Sequence, residues 1–398
     1  MKIVFVNIWF TDGMGYIENC LPRSLAKRGH DVHIVTSKGK VFFNDPLYKK
    51  TYEKFFGPPV EKEGKYKLGE NLTLHRLNFV TIAKTFYFFG LGRTLREIRP
   101  DVVHMLDVIS PFTIQFFYYG RRFKFNVYTA NHYVLSVLAV HKEWEKAFSL
   151  LKFKWLLFKV IPGKLLSGYY KRCYAATVDA KYVAEKYMGV PPEKCYVTPL
   201  GVDTEVFKRI HDRAQIAERR TSIGFANSDF MVLYTGRFAP DKNPLILAKA
   251  IDHLQTKGFK HIKGLFVGSG EQKTEIQSCA ACSIVDFVPY HELYKFYQIA
   301  DIGVWPTQES TSMLDAAASG IPIIVNNTVH ATERYMGNGL TYELGNVEDL
   351  AEQILKLYND ADLRSKLGAE GERKMKEEFS WDRIAKEREA DYMQDLSK

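Results

Sequence analysis

Short, nearly unbroken apolar runs alternate along this chain with amphipathic stretches of ten or more residues. Lys2-Ile-Val-Phe-Val-Asn7 has the pattern of a buried strand. A glycine-containing loop, Asp12-Gly-Met-Gly15, follows it. A helical pattern then runs from Ile17 to Arg28 and is closed by Gly29, before a second strand at Asp31-Val-His-Ile-Val-Thr36. Strand, loop, helix and strand at this spacing form a βαβ unit, which implies a parallel sheet. Further strands are expected at Leu72–Leu77, Val102–Leu106, Asn126–Thr129 and Ala175–Val178. The alternation restarts after Cys195-Tyr-Val-Thr-Pro-Leu-Gly201, with strands expected at Met231–Gly236, Leu265–Gly268, Ile284–Val288, Ile302–Trp305 and Ile323–Val325. The pattern therefore predicts two doubly wound α/β domains, 1–200 and 201–378, facing a central cleft at the carboxyl ends of their sheets. Ligands bind at that end in such folds. A charge-rich helix is expected over Trp381–Leu396, within a terminal segment 379–398.

Composition narrows the class. With 398 residues, 46% hydrophobic and 25% charged, the chain is an ordinary globular one, not a disordered or collagenous one. Its five cysteines imply no disulfide framework. Cys279-Ala-Ala-Cys282 lacks a second pair or a nearby histidine and reads as packing rather than as a redox or zinc site. No apolar run approaches the roughly 18 residues of a spanning helix. A strand beginning at Lys2 leaves no room for a leader, so a cytoplasmic protein, soluble or peripheral at the inner face of the cell membrane, is expected. Charge is divided unevenly. Residues 1–200 carry 31 Lys and Arg against 16 Asp and Glu, whereas residues 201–398 carry 24 against 30. A basic half joined to an acidic half suggests different partners for the two domains.

Several loops could carry chemistry. Gly13-Met-Gly15 and Gly268-Ser269-Gly270 each give G-x-G, but neither completes a dinucleotide fingerprint, and the second strand ends without an acid for a ribose. These glycines are expected to let backbone approach some other phosphate or a sugar. In Gly236-Arg237-Phe-Ala-Pro-Asp-Lys242-Asn243-Pro, a buried strand delivers two cations to a loop stiffened by Pro240 and Pro244. That suits a diphosphate, by guanidinium fork and by point charge, though a solvated basic loop has the same spacing. Farther on, Trp305-Pro-Thr-Gln-Glu309-Ser-Thr311-Ser312-Met313-Leu-Asp315 places a polar loop before a small-residue helix ended by Gly320. It is either an anion site with two acids or simple helix capping. The D-x-D at Asp360-Ala-Asp362 follows a helix and reads as a surface turn, so no metal site is expected.

Together these pieces resemble a family. Gly236-Arg237…Lys242-Asn243, Val267-Gly-Ser-Gly270-Glu, Ala300-Asp-Ile-Gly-Val-Trp-Pro306 and Asp315-Ala-Ala-Ala-Ser-Gly-Ile-Pro-Ile-Ile324 are similar to the nucleotide-sugar half of retaining GT-B glycosyltransferases of family four, glycosyl transferases group 1. Leu25-Ala-Lys-Arg-Gly-His-Asp-Val-His-Ile-Val-Thr36, Arg99-Pro-Asp-Val-Val-His104, Thr198-Pro-Leu-Gly-Val-Asp203-Thr-Glu-Val-Phe207 and Phe379-Ser-Trp381 extend the likeness over almost the whole chain. The resemblance implies two Rossmann-like domains, with the last helix crossing back to the first. It implies a donor diphosphate held by Arg237 and Lys242 and donor-sugar hydroxyls touched by Glu309. Asp315 would reach a ribose, and amides around Thr311, Ser312 and Met313 would face phosphate. Gly236, Asn243, Gly268 and Ser269 would line the donor site; Gly13 and Gly15 would lie beneath the diphosphate, and His132 beside the reacting sugar. No metal or other cofactor is implied. The departure is in the acids, which stand six positions apart where the family has eight; without a gap, Thr307 would occupy the first acidic position. A nucleotide-sugar epimerase on the same scaffold, or a non-catalytic nucleotide-sugar binding protein, stays open as an alternative.

One stretch points to the acceptor. Residues 146–172 hold seven Lys and Arg and no acid, interleaved with Phe148, Phe153, Trp155, Phe158, Tyr169 and Tyr170. Shorter stretches at Lys84–Arg93 and Phe116–Lys124 repeat the theme. Basic and aromatic residues together suit an anionic bilayer surface; a core helix with a solvated basic face is the alternative. A glycan or lipid-linked acceptor is expected, without nucleic acid as a partner, because no nucleic-acid reading motif is present.

Overall fold

The computed structural model describes residues 1–46, 48–82, 85–307 and 309–397. Lys84, at the head of one basic–aromatic stretch, and Gln308, in the acid loop, lie outside them. The chain divides into two compact units. The first comprises Met1–Asp12, Tyr16–Leu200 and Asp382–Lys398, the second Gly13–Gly15 and Gly201–Trp381.

The first unit is built on an eight-stranded sheet. Its strands are β1 (Lys2–Val6), β2 (Asp31–Ser37), β3 (Gly64–Gly69), β4 (Leu72–Leu77), β7 (Val102–Met105), β8 (Asn126–Asn131), β9 (Cys173–Ala175) and β10 (Cys195–Val197), while β5 (Phe79–Ile82) and β6 (Thr85–Phe88) form a separate hairpin. The spatial order is β10-β9-β8-β7-β1-β2-β4-β3, and only β3 runs antiparallel, at the edge. Ile3, Val4, Phe5 and Val6 are all buried, as a parallel strand covered on both faces requires. The strand expected over Ala175–Val178 is displaced toward the amino end. Thr177 accepts from the Ala180 amide at 3.0 Å and caps a helix over Val178–Met188, so Val178 opens a helix and does not close a strand.

The helix Trp381–Leu396 groups with the first unit from Asp382 onward, and its charges explain why. Arg172 reaches Asp391 at 2.6 Å and Asp395 at 2.9 Å, Glu389 takes Arg28 at 2.6 Å and His30 at 2.9 Å, and the Tyr392 hydroxyl meets His104 Nδ1 at 2.5 Å. His104 is fully buried, and that burial holds its imidazole neutral, far below its ordinary pKa. Charge that looks solvated along the sequence is therefore spent on a sheet face.

The second unit has six parallel strands, β11 (Phe230–Thr235), β12 (Ile262–Val267), β13 (Cys282–Val285), β14 (Ile302–Trp305), β15 (Ile323–Asn326) and β16 (Gly339–Tyr342), in the order β13-β12-β11-β14-β15-β16. The order reverses between β11 and β14, and a doubly wound sheet opens a ligand crevice beyond the carboxyl ends at such a reversal. Cys279 and Cys282 are free, and burial raises both thiols above their ordinary pKa, as expected of packing cysteines. Asp360 accepts from the Leu363 amide at 2.8 Å and caps the helix Ala361–Glu378.

Candidate functional site

The loops after β11 and β14 flank that reversal, and both carry residues singled out by their sequence. After β11, Gly236 has φ 150°, and the Tyr234 hydroxyl donates to the Arg237 carbonyl at 2.9 Å. The Lys242 and Asn243 amides both return to the Ala239 carbonyl, at 2.9 and 2.7 Å. Pro244 then starts the helix Leu245–Thr256. Lys242 thus sits on a closed turn and not on a free tether. Its ammonium donates to the Glu309 carbonyl, on the loop after β14, at 2.9 Å, so it bridges the two loops across the reversal. Burial pulls its pKa below the ordinary value. Arg237 is 55% exposed and pairs with Asp241 at 2.9 Å, so its guanidinium is held at the loop surface, where a stronger anion can compete for it.

The glycines of Gly268-Ser269-Gly270 serve a close backbone contact within the unit. A Cβ on Gly268, at φ 149°, would lie 1.9 Å from the Gly236 carbonyl oxygen, and one on Gly270 would lie 2.5 Å from the Phe238 oxygen. The Phe238 amide donates to the Ser269 carbonyl at 2.9 Å. Here backbone approaches backbone, because the loop after β12 packs directly on the loop after β11. Gly268 and Ser269 brace the cation loop by that contact. Asn243, at φ 45°, is tied in by Gln272 at 3.3 Å.

The acid loop is held from behind. Trp305 Nε1 donates to Ser312 Oγ at 2.8 Å, and Ser312 Oγ lies 3.4 Å from the Thr235 carbonyl. The amides of Ser312 and Met313 already donate to Ser310, at its hydroxyl and its carbonyl, both at 3.3 Å. Met313 is fully buried. The start of the seven-residue helix Ser312–Ala318 is therefore partly satisfied internally. Glu309 turns its carboxylate toward the segment after β15, where the Ala331 amide donates at 3.3 Å and buried Arg334 stands 3.7 Å away. Asp315 is buried. That burial pushes its carboxyl well above the usual range, opposed by a 3.3 Å hydrogen bond from the Tyr290 hydroxyl and reinforced by the charge of Asp203. The Thr307 carbonyl, at the position of a first acid aligned without a gap, accepts from Asn326.

Two residues that bind this loop together escaped the sequence reading. Asn326 ends β15 and holds the Pro306 carbonyl at 3.0 Å; Arg334 faces Glu309. The one available signal was a polar Asn-Asn pair closing the apolar run Ile323-Ile-Val325. Arg334 carried none, since its partner lies 25 residues back in another loop.

The remaining residues are more scattered. Gly13, at φ 87°, and Gly15 group with the second unit, where a Cβ on Gly15 would fall 2.3 Å from the Tyr290 ring. His132 follows β8 in the first unit, half-buried, and its charge acts on His104.

The basic–aromatic segment is helical over Leu150–Trp155 and Ile161–Leu165, joined by a wide π turn at Leu156–Val160. Its apolar side chains point largely outward. Phe148 is 97% exposed, Leu165 75%, Leu150 69%, Phe158 66% and Phe153 61%. Trp155 turns the other way, donating from its indole to the Tyr187 carbonyl at 2.5 Å. Among the described residues no helix is long and apolar enough to cross a membrane.

Each unit is thus a doubly wound α/β sheet, and the second carries cations on a braced loop at its strand-order reversal. The glycosyltransferase family 4 model matches residues 21–206 and the glycosyl transferases group 1 model matches residues 229–360. The chain belongs to this family of GT-B glycosyltransferases. It is 27% identical over 177 residues to the capsular polysaccharide biosynthesis glycosyltransferase CapM of Staphylococcus aureus, covering 42% of this chain and 46% of that one. It is 24% identical over 327 residues to the alpha-monoglucosyldiacylglycerol synthase of Acholeplasma laidlawii, covering 77% and 74%. The chain thus spans about half the length of the first relative and three quarters of the second. In fold it is similar to HepE of Anabaena, solved in complex with UDP-glucose, with a TM-score of 0.67 at 17% identity over 100% of this chain and 99% of that one.

Proposed function

We propose that this protein is a retaining glycosyltransferase that moves a hexosyl group from a nucleotide-sugar donor to a glycan or lipid-linked acceptor, without a metal ion. One observation carries the reading: Lys242, on a closed turn after β11, spans to the loop after β14 at the strand-order reversal. Breaking a sugar–phosphate bond builds positive charge on the sugar ring and negative charge on the leaving diphosphate. A pre-positioned ammonium stabilises that leaving group without reorganising, and Arg237 adds a second cation by exchanging Asp241 for phosphate. The C1–O bond to the diphosphate breaks, and the acceptor hydroxyl oxygen bonds C1 from the same face. The hydroxyl proton passes to the departing phosphate oxygen, so no enzyme carboxylate need act as nucleophile.

In this reading Glu309 acts on the donor sugar only indirectly, because its carboxylate is engaged by Ala331 and Arg334. His132 keeps the role beside the reacting sugar that the family resemblance implies. The acceptor is taken at an anionic membrane surface. The outward rings of Phe148, Phe153 and Phe158 enter the headgroup region, and exposed Lys154 and Lys164 on the same segment meet lipid charge. The lipid-synthase relative from Acholeplasma laidlawii supports this choice of acceptor class.

The test is release of nucleoside diphosphate by the full chain from UDP-, GDP- and ADP-sugars, with and without lipid extract. Acceptor-dependent release with retention of the anomeric configuration is expected. Conversion of the donor without any acceptor would point instead to an epimerase, and nucleotide binding with no release to a binding protein.

A further inference from the structure

A cavity of about 360 Å³ lies in the second unit, at the amino edge of its sheet. Asp301 and Pro322, which precede β14 and β15, are in its wall, whereas the candidate donor loops follow those strands. Four arginines line it, and the sole carboxylate in its lining is Asp301. That carboxylate is already engaged: it accepts from Arg220 at 3.0 Å and from the Met231 amide at 2.7 Å. Arg220 is itself used up, donating also to the Ile299 carbonyl at 2.7 Å and the Asp229 carbonyl at 3.0 Å.

Two of the other three guanidiniums, Arg209 and Arg213, have no carboxylate partner among the described residues. Arg364 donates to carbonyls at the end of the preceding helix, lies 5.2 Å over the Phe230 ring and shares the charge of Asp301 with Arg220. The nearby acids Asp212 and Asp360 cap helices and do not line the cavity. Arg209 is held in place, since its methylenes lie where a Cβ on Gly320 would fall, 2.9 Å from Cδ, at a glycine with φ 74°. Positive groups gathered in a concave wall repel one another, and an anion relieves that repulsion. Guanidinium forks match phosphate oxygens in pairs. The volume exceeds what inorganic phosphate fills and falls in the range of small-ligand sites. Ile216, Ile299 and Pro322 supply an apolar wall for the rest of such a molecule.

We infer that this cavity is a second ligand site, binding a small phosphomonoester of sugar-phosphate size through Arg209, Arg213 and Arg364. It is independent of the donor reading, because it stands at the opposite edge of the sheet.

The experiment is calorimetric titration of the full chain with glucose 6-phosphate, inorganic phosphate and glucose. Saturable binding of glucose 6-phosphate is expected, with weaker binding of phosphate and none of glucose. The double variant Arg209→Gln, Arg213→Gln should weaken glucose 6-phosphate binding by at least about tenfold. Both side chains stand outside any ion pair, so its thermal midpoint should stay near the parent's. Lys242→Ala should bind glucose 6-phosphate as the parent does. Loss of binding in Lys242→Ala with retention in the double variant would overturn the inference by assigning the phosphate to the donor loops. Absence of binding by the folded parent would overturn it outright.

Discussion

The two sheets are wound alike but finished differently. In the second unit, the candidate site residues sit on loops whose backbones touch. Gly268 packs on Gly236, Lys242 reaches the Glu309 carbonyl, and Asn326 and Arg334 brace the acid loop. In the first unit, the segment 146–172 displays large apolar groups outward between lysines. Rigidity serves the first arrangement, because a charge aimed at a leaving group acts only if it is already in place. Exposure serves the second, because a surface that meets a bilayer must keep its apolar groups uncovered until it docks. Under the proposed function the contrast separates a chemical role from an anchoring one, and each can be broken alone.

The largest effect is expected on the rigid side. Lys242→Ala should slow turnover about a hundredfold and weaken nucleoside-diphosphate binding, read by steady-state kinetics and titration. Arg237→Ala should follow with a smaller loss, since its pairing with Asp241 is solvent-exposed. Normal rates in both variants would remove the diphosphate assignment. On the exposed side, Phe153→Ser with Phe158→Ser should cut flotation with anionic vesicles by about thirtyfold, since each ring withdrawn from the interface removes on the order of 1 kcal/mol. Nucleoside-diphosphate affinity should not move. If vesicle binding survives, the segment faces something other than lipid.

A smaller change sharpens the boundary between the two kinds of role. Glu309→Gln should lower turnover several-fold while leaving nucleotide affinity alone, because its carboxylate steadies Arg334 and its carbonyl still receives Lys242. Equal losses in affinity and rate would place its side chain on the nucleotide itself. The smallest effect concerns Glu18, in the first turn of the helix Ile17–Lys27, whose carboxyl burial pushes up from 4.5 to about 7. The folded state then holds this proton more tightly than the unfolded chain. The resulting stabilisation is complete below pH 4.5 and is lost as pH rises through about 7. Glu18→Gln should accordingly flatten the fall in thermal midpoint across that window. Parallel curves for parent and variant would show that Glu18 does not titrate there.

Much of this protein is legible along the chain. The buried runs at Lys2–Val6, Leu72–Leu77 and Ile302–Trp305 and the helix at Trp381–Leu396 follow from local periodicity, which depends only on neighbours in sequence. So does the delivery of Arg237 and Lys242 to the end of a strand, because the strand and the turn that follows it are local. The six-position gap between Glu309 and Asp315 was visible too, but its consequence was not. Only the tertiary structure decided that Glu309 points at Arg334, that the glycines at 268 and 270 meet another loop's backbone, and that the charges of the last helix are spent on Arg172, Arg28 and His30. Those contacts join segments far apart in the chain. Such pairings depend on which strands lie side by side, and no local pattern of residues encodes that.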